Sequence, residues 1–426
     1  MQIHDTSPPR AIRRRGFMQG AAAIGASTVA MPNIVAAQNK APIKIGMPSV
    51  FSGVFALLGQ SSSAGARMEI DAVNAAGGIN GRKLELITRD SKGKPDEATK
   101  VVRDLISSDG CEIILNAETS ASAFAVQELI RELGVLCIHT NSEVSSLTAN
   151  PKIHAPTCFR SARQGIHDSI GGGQYAAGIV SKKNLFKFVT AAPDYAYGRE
   201  ITASFVEYAK LFEPRIEVID QAWPKLFQPD FTEVVTKILQ AKPQALYTTL
   251  FAGDLVALID QGLLYGLFDK METFSVNLGD YAVLTQVKQL PAGLHSGTRY
   301  NRTVPNTPAN EAFYQEYTKK NPDHKVGNWS WENATGAKFM IEALKKNNGN
   351  TDGKKLAELI KGMKIESPFG VDGTLTMRAS DHTVINYVVG YGVTVPKDPY
   401  IKDVITTGWG PILEHEADWK KRNGFV

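Results

Sequence analysis

From Ile43 onward, short apolar runs alternate with longer stretches whose apolar residues recur three and four positions apart. The runs IKIGMPSV from Ile43, KLELITRD from Lys83, CEIILNA from Cys111 and VLCIHT from Val135 predict strands. Apolar runs of this length, bounded by turn signals, suit strands buried on both faces. Between them, SSAGARMEIDAVNAA from Ser62, DEATKVVRDLISSD from Asp96 and ASAFAVQELIRELG from Ala121 predict amphipathic helices. A second series starts near Phe186, with FKFVTAA, EVIDQAW, ALYTTLF and TFSVNL as strands. Helices are predicted through ITASFVEYAKLF, FTEVVTKILQAK and DLVALIDQGLLYG. Two α/β units of like build follow, each with a parallel sheet covered on both faces.

The glycines of NAAGGINGRKLELITRD raise the question of a phosphate cradle. Dinucleotide folds place such glycines after a strand, where they open a helix. Here Gly77, Gly78 and Gly81 close a helix and lead into a strand. They predict a left-handed helix cap followed by an Asn80-Gly81 turn.

Residues 1–37 read differently from the rest. Arg13, Arg14 and Arg15 precede an Ala/Gly-rich run that ends in Val35-Ala36-Ala37. This is the pattern of a cleavable export signal of the twin-arginine kind, cut before Gln38. Four arginines against Asp5 give the segment three of the chain's four net positive charges, so the remainder is nearly neutral. A near-neutral body has no electrostatic footprint for nucleic acid. No later apolar run is long enough to insert the mature protein stably in a membrane.

Little in the chain suggests catalysis. The eight histidines form no metal-binding spacing, and there is no Cys-x-x-Cys. Neither a nucleophile elbow nor a phosphate loop is present. The reading is therefore of a non-enzyme with no metal and no cofactor, against which a secreted hydrolase is the disfavoured alternative. Cys111, Cys137 and Cys158 are an odd number, so any one bridge leaves a free thiol. The candidate chemistry lies in loops that follow strand ends, where open α/β sheets bind ligands. These are VFSGVFALLGQ, AETSAS, TNSEVSSLT, APDYAYG, FAGD and NLGDY.

IKIGMPSVFSGVFALLGQ, INGRKLELITRD, DYAYGRE, QGLLYGL and FGVDGTLTMRASDH, taken in that order, resemble periplasmic solute-binding proteins of the branched-chain amino acid (Leu/Ile/Val-binding) type. The resemblance implies an α/β protein of the type I periplasmic binding protein fold, with two Rossmann-like lobes with parallel sheets joined by three hinge crossings. Lobe one would comprise 42–160 and 294–375, and lobe two 161–293 and 376–426. It also implies a receptor in the periplasm that delivers a small solute to the permease and ATPase of an ABC transporter. A ligand sensor coupled to a signalling partner is the alternative on the same fold.

The family's carboxylate-holding positions fall on Ser120, beside Thr119, and on Ser142 or Glu143. Its lining aromatics fall on Tyr197 and Phe251, with Phe55 in the first loop. The family's ammonium-binding acid falls on Leu278, flanked by Asn277 and Asp280, which departs from the pattern. The solute classes left open are amino-acid-like solutes, amides and aromatic acids.

Overall fold

The structure is a computed structural model that describes residues 40–426, so the export segment read at 1–37 lies outside the described residues. Its first part runs β1 (Lys40–Ser49), α1 (Ala56–Ala75), β2 (Arg82–Asp90), α2 (Pro95–Ser107), β3 (Ile113–Asn116), α3 (Ser120–Leu133), β4 (Leu136–His139), α4 (Ser146–Ala149) and β5 (Cys158–Arg160). The strands form one parallel sheet in the order β2-β1-β3-β4-β5. Ile43, Ile45, Met47, Leu115 and Ile138 enter one core, while Ile114, Cys137 and Cys158 enter another with Val102 and Leu105 of α2 and Val126 and Ile130 of α3. Burial on both faces is why these strands read as unbroken apolar runs.

The second part runs α5 (Gly165–Lys183), β6 (Lys187–Ala191), α6 (Ala196–Phe212), β7 (Glu217–Ala222), α7 (Thr232–Ala241), β8 (Ala245–Thr248), α8 (Ala252–Leu264), β9 (Glu272–Ser275), α9 (Tyr281–Leu284) and β10 (His295–Gly297). Then come α10 (Pro308–Lys320), α11 (Asn328–Lys346), α12 (Gly353–Ile360), β11 (Lys364–Glu366), β12 (Thr374–Met377), β13 (Val384–Ile385), β14 (Gly390–Thr394), β15 (Ile401–Thr406) and α13 (Trp409–Arg422). A seven-stranded sheet has the order β15-β14-β10-β9-β8-β6-β7. Its parallel part repeats the winding of the first sheet, and β14 and β15 extend it antiparallel.

Between the two sheets the chain passes three times: after β5, after β10 and between β13 and β14. β10 pairs with β9 and β14, so the chain stays with the larger sheet through Gly297, past the expected boundary at 293. The small antiparallel sheet β11-β12-β13 likewise runs past 375 to Ile385. Both departures have one cause. The strands HSG and VI are too short to give a periodic signal.

Gly77 and Gly78 end α1 with φ of 106° and 81°, and the Gly78 N–H bonds Val73 O at 2.9 Å, as expected of a left-handed cap. A second glycine fixes how α1 packs. A Cβ on Gly65 would lie 2.0 Å from the backbone oxygen of Ser330 on α11. Gly65→Ala is therefore expected to push the two helices apart and lower stability by about 1–3 kcal/mol, to be read from urea denaturation. An unchanged midpoint would mean that the helices separate freely.

Candidate functional site

In both sheets the first strand feeds one side and the later strands the other. The switch points fall between β1 and β3 and between β6 and β8. Ligands in such sheets bind outside the carboxyl ends of the strands at the switch. The start of α1 and the loops after β3 and β4 meet the loops after β6, β8 and β9 around a small cavity.

One wall is the start of α3. Thr119 takes the cap position with extended backbone (φ −62°, ψ 159°), and its side chain makes no capping bond. The first-turn amides of a helix have no partner within the helix and carry its positive end. Ser120 adds a hydroxyl, which accepts from Ser142 Oγ at 3.2 Å. Thr119 and Ser120 line the cavity, whereas Ser142 is fully buried and braces Ser120. Glu118 also faces the cavity. Burial pushes its carboxyl up to about 7, against the opposing effect of Ser91 and Ser122.

A second wall is aromatic. Tyr195, Tyr197, Phe251 and Trp329 line the space, with Tyr197 5.7 Å and Trp329 6.4 Å from Phe251, centroid to centroid. Phe55, from the loop after β1, packs on this wall 5.2 Å from Phe251 and 4.2 Å from Phe227. Loops of the two sheets thus touch, and the cleft is shut. Asn277 spends its amide N–H groups on Tyr197 Oη at 2.8 Å and on Thr249 O and Leu250 O, so it positions the tyrosine.

The third wall is charged. Glu143 lines the cavity and is ion-paired with Arg299, whose Nη1 lies 2.8 Å from Asp168 Oδ2. Arg163 forks onto the same Asp168, with Nε at 3.0 Å, and donates to Val388 O at 2.9 Å. Burial alone would raise Asp168, but Arg163 and Arg299 outweigh it and hold the carboxyl below its ordinary range. Burial likewise opposes the charge of Arg299, and Glu143 and Asp168 overcome it. Burial and the neighbouring Glu143 push the Glu332 carboxyl well above the ordinary range, and its two oxygens accept from the Arg163 backbone N–H at 2.7 Å and Asn328 Nδ2 at 2.9 Å. Arg163, Arg299 and Val388 lie on the first, second and third passes between the sheets, so the network ties all three together. Asp280 lines the cavity from the loop after β9, and its Oδ2 accepts from the Asn328 backbone N–H at 2.9 Å, at the start of α11.

Of the residues read from sequence, Thr119, Ser120, Glu143, Tyr197, Phe251, Asn277 and Asp280 meet around this cavity, while Ser142 and Phe55 support them. Leu278 is buried in the core of the second sheet, which leaves Asp280 as the acid that the sixth loop presents. Glu118, Asn141, Arg299 and Asn328 were not anticipated. Glu118 and Asn141 carried a signal, through their places in AETSAS and TNSEVSSLT. Arg299 follows a three-residue strand, and no pattern marks it.

An α/β clamp with two like-wound sheets closing on a cavity of hydroxyls, rings and carboxylates defines a small-solute receptor. The chain belongs to the periplasmic binding protein family, whose sequence pattern matches residues 42–396. It is 26% identical over 390 residues to "Leu/Ile/Val-binding protein homolog 4" of Brucella abortus, covering 86% of each chain. The ABC-transporter solute-binding protein of Rhodopseudomonas palustris BisB5, solved with 3,4-dihydroxybenzoic acid, superposes with a TM-score of 0.76 at 23% identity, covering 86% of this chain and 96% of that one. The branched-chain amino acid binding protein LivJ of Streptococcus pneumoniae, solved with isoleucine, superposes with a TM-score of 0.71 at 22% identity, covering 86% and 99%. The chain shares the fold of these solute-binding proteins. No helix among the described residues is long and apolar enough to cross a membrane.

Proposed function

We propose that the solute is a small zwitterion of amino-acid type with an apolar or aromatic side chain. The observation that carries this is the pairing, in one cavity, of an uncapped helix start bearing Ser120 with the carboxylates of Glu143 and Asp280. The helix start favours a carboxylate. Arg299 is already shared between Glu143 and Asp168, so it supplies no free cation for a second anion. The acid side of the cavity therefore favours an ammonium group. Tyr195, Phe251 and Trp329 form the surface for the side chain. The ligand would bridge both sheets only when the cleft is shut, so its differential affinity holds the closed form. We also infer the lobe boundaries set out from the resemblance, shifted to the passes at 297 and 385–390, and export by the twin-arginine route.

A thermal-shift series on residues 38–426 tests the reading: phenylalanine and leucine, their amides, the matching deaminated acids and 4-hydroxybenzoate. Saturation at about 100 times the dissociation constant adds about 2.7 kcal/mol. The zwitterions are expected to give the largest shifts. Equal or larger shifts with the deaminated acids would move the site to aromatic acids, which the rings of the cavity also suit. Within the zwitterion reading, Ser120→Ala is expected to weaken binding by about 1–3 kcal/mol through the loss of one hydroxyl partner, measured calorimetrically. Unchanged affinity would take Ser120 out of the site.

A further inference from the structure

We propose that Cys137, His139 and Cys158 form a buried binding site for a soft monovalent cation of the copper(I) type, separate from the solute cavity. Spacing along the chain gives no hint of it, because the set is assembled by strand pairing. Cys137 and Cys158 are register partners on the neighbouring parallel strands β4 and β5, so their side chains leave the same face of the sheet. His139 follows Cys137 by two residues and shares that face. All three are fully buried. One donor atom from each lies within 4.8 Å of the other two. With metal–ligand bonds of about 2.0–2.3 Å, the donors of a trigonal site stand roughly 3.5–4 Å apart, so a modest contraction completes the geometry.

Two further observations point to a ligand. His139 Nε2 and Asn116 Oδ1 are both buried without a hydrogen-bond partner, although Asn116 Nδ2 lies 2.8 Å from His139 Nδ1. Turned end for end, the Asn116 carboxamide accepts from Nδ1–H and leaves Nε2 with a lone pair. This is the arrangement that orients metal-binding imidazoles. Charge supplies the second. Arg160 stands two residues beyond Cys158, fully buried, and its hydrogen bonds run to Val144 O, Ser145 O and the hydroxyls of Thr148 and Thr383, all uncharged. Two thiolates and one monovalent cation leave a single negative charge, which this guanidinium offsets. Thiolates select soft cations, and zinc takes four ligands in structural sites. Three donors, two of them thiolates, therefore favour copper(I). Binding releases two protons, one from each thiol, and needs no oxidant.

The test titrates the reduced mature protein, under argon, with copper(I) delivered from a competing chelator. Near-ultraviolet thiolate-to-metal absorption and the copper retained after desalting are the readouts. One copper per chain is expected in the wild type and in Cys111→Ser, with loss of that equivalent in Cys158→Ala and His139→Gln. Should a variant fail to fold, the copper-edge X-ray absorption spectrum of the folded, copper-loaded wild type provides the second readout, with two sulfur ligands and one nitrogen ligand expected and a shell without sulfur overturning the proposal. Absence of bound copper in the wild type, equal retention in Cys158→Ala, or a Cys137–Cys158 disulfide in protein isolated from cells would each overturn the proposal.

Discussion

Replacing Arg299 with glutamine is expected to lower the unfolding free energy by about 3–5 kcal/mol, the usual penalty for stripping one partner from a buried ion pair. Glu143 would be left facing the cavity with Asn328 Nδ2 at 3.2 Å as its remaining donor, and Asp168 would keep only Arg163. Solute binding should fall with stability, because the uncompensated Glu143 would repel the ligand's carboxylate and lose the fixed position that Arg299 gives it. Paired denaturant titrations of the wild type, Arg299→Gln, Glu143→Gln and the double variant separate the contributions. Partial recovery in the double variant is the signature of the lost pairing. A cost for Arg299→Gln below about 1 kcal/mol, the range of exposed pairs, would show that water reaches the network.

Glu118→Gln gives the second large effect, one that depends on pH. The folded carboxyl titrates at about 7, against an ordinary value of 4.5, because burial disfavours its charge. The native state therefore holds a proton that the unfolded chain releases. The resulting stabilisation is complete below pH 4.5 and is lost as pH rises to 7. Glutamine stays neutral throughout. The stability of the wild type relative to Glu118→Gln should fall on the order of 3 kcal/mol between pH 4.5 and 8. Affinity for a carboxylate at Ser120 should fall over the same interval in the wild type and stay level in the variant. Parallel pH profiles for the two proteins would mean that Glu118 is hydrated and ionised.

The parts of the fold legible in the sequence are those whose signal is local. The strands around Ile45, Ile114, Ile138 and Val189 are apolar because both faces are buried, so each announces itself in a few residues. Helix α5 escaped notice because Gly171, Gly172 and Gly173 weaken the helical pattern. Those glycines serve packing: a Cβ on Gly172 would meet Tyr391 Oη at 2.4 Å, and one on Gly173 would meet Ala209 N of α6 at 2.7 Å. Site residues followed the same rule. Ser120, Tyr197 and Phe251 sit where a strand ends and a helix begins, a boundary visible in the sequence. Arg299 and Asn328 reach the cavity along the second pass between the sheets, and the triad of Cys137, His139 and Cys158 exists only through the pairing of β4 with β5. Long-range placement of this kind leaves no periodic trace.

The most direct test of a solute held between both sheets is small-angle X-ray scattering of the mature protein, without ligand and then with the zwitterion that gives the largest thermal shift at saturation. The radius of gyration should contract on binding, because the shut cleft, with Phe55 of one side against Phe227 and Phe251 of the other, is the form the ligand selects. Saturable binding with an unchanged scattering curve would contradict the account, placing the solute on one lobe or on a clamp that does not move.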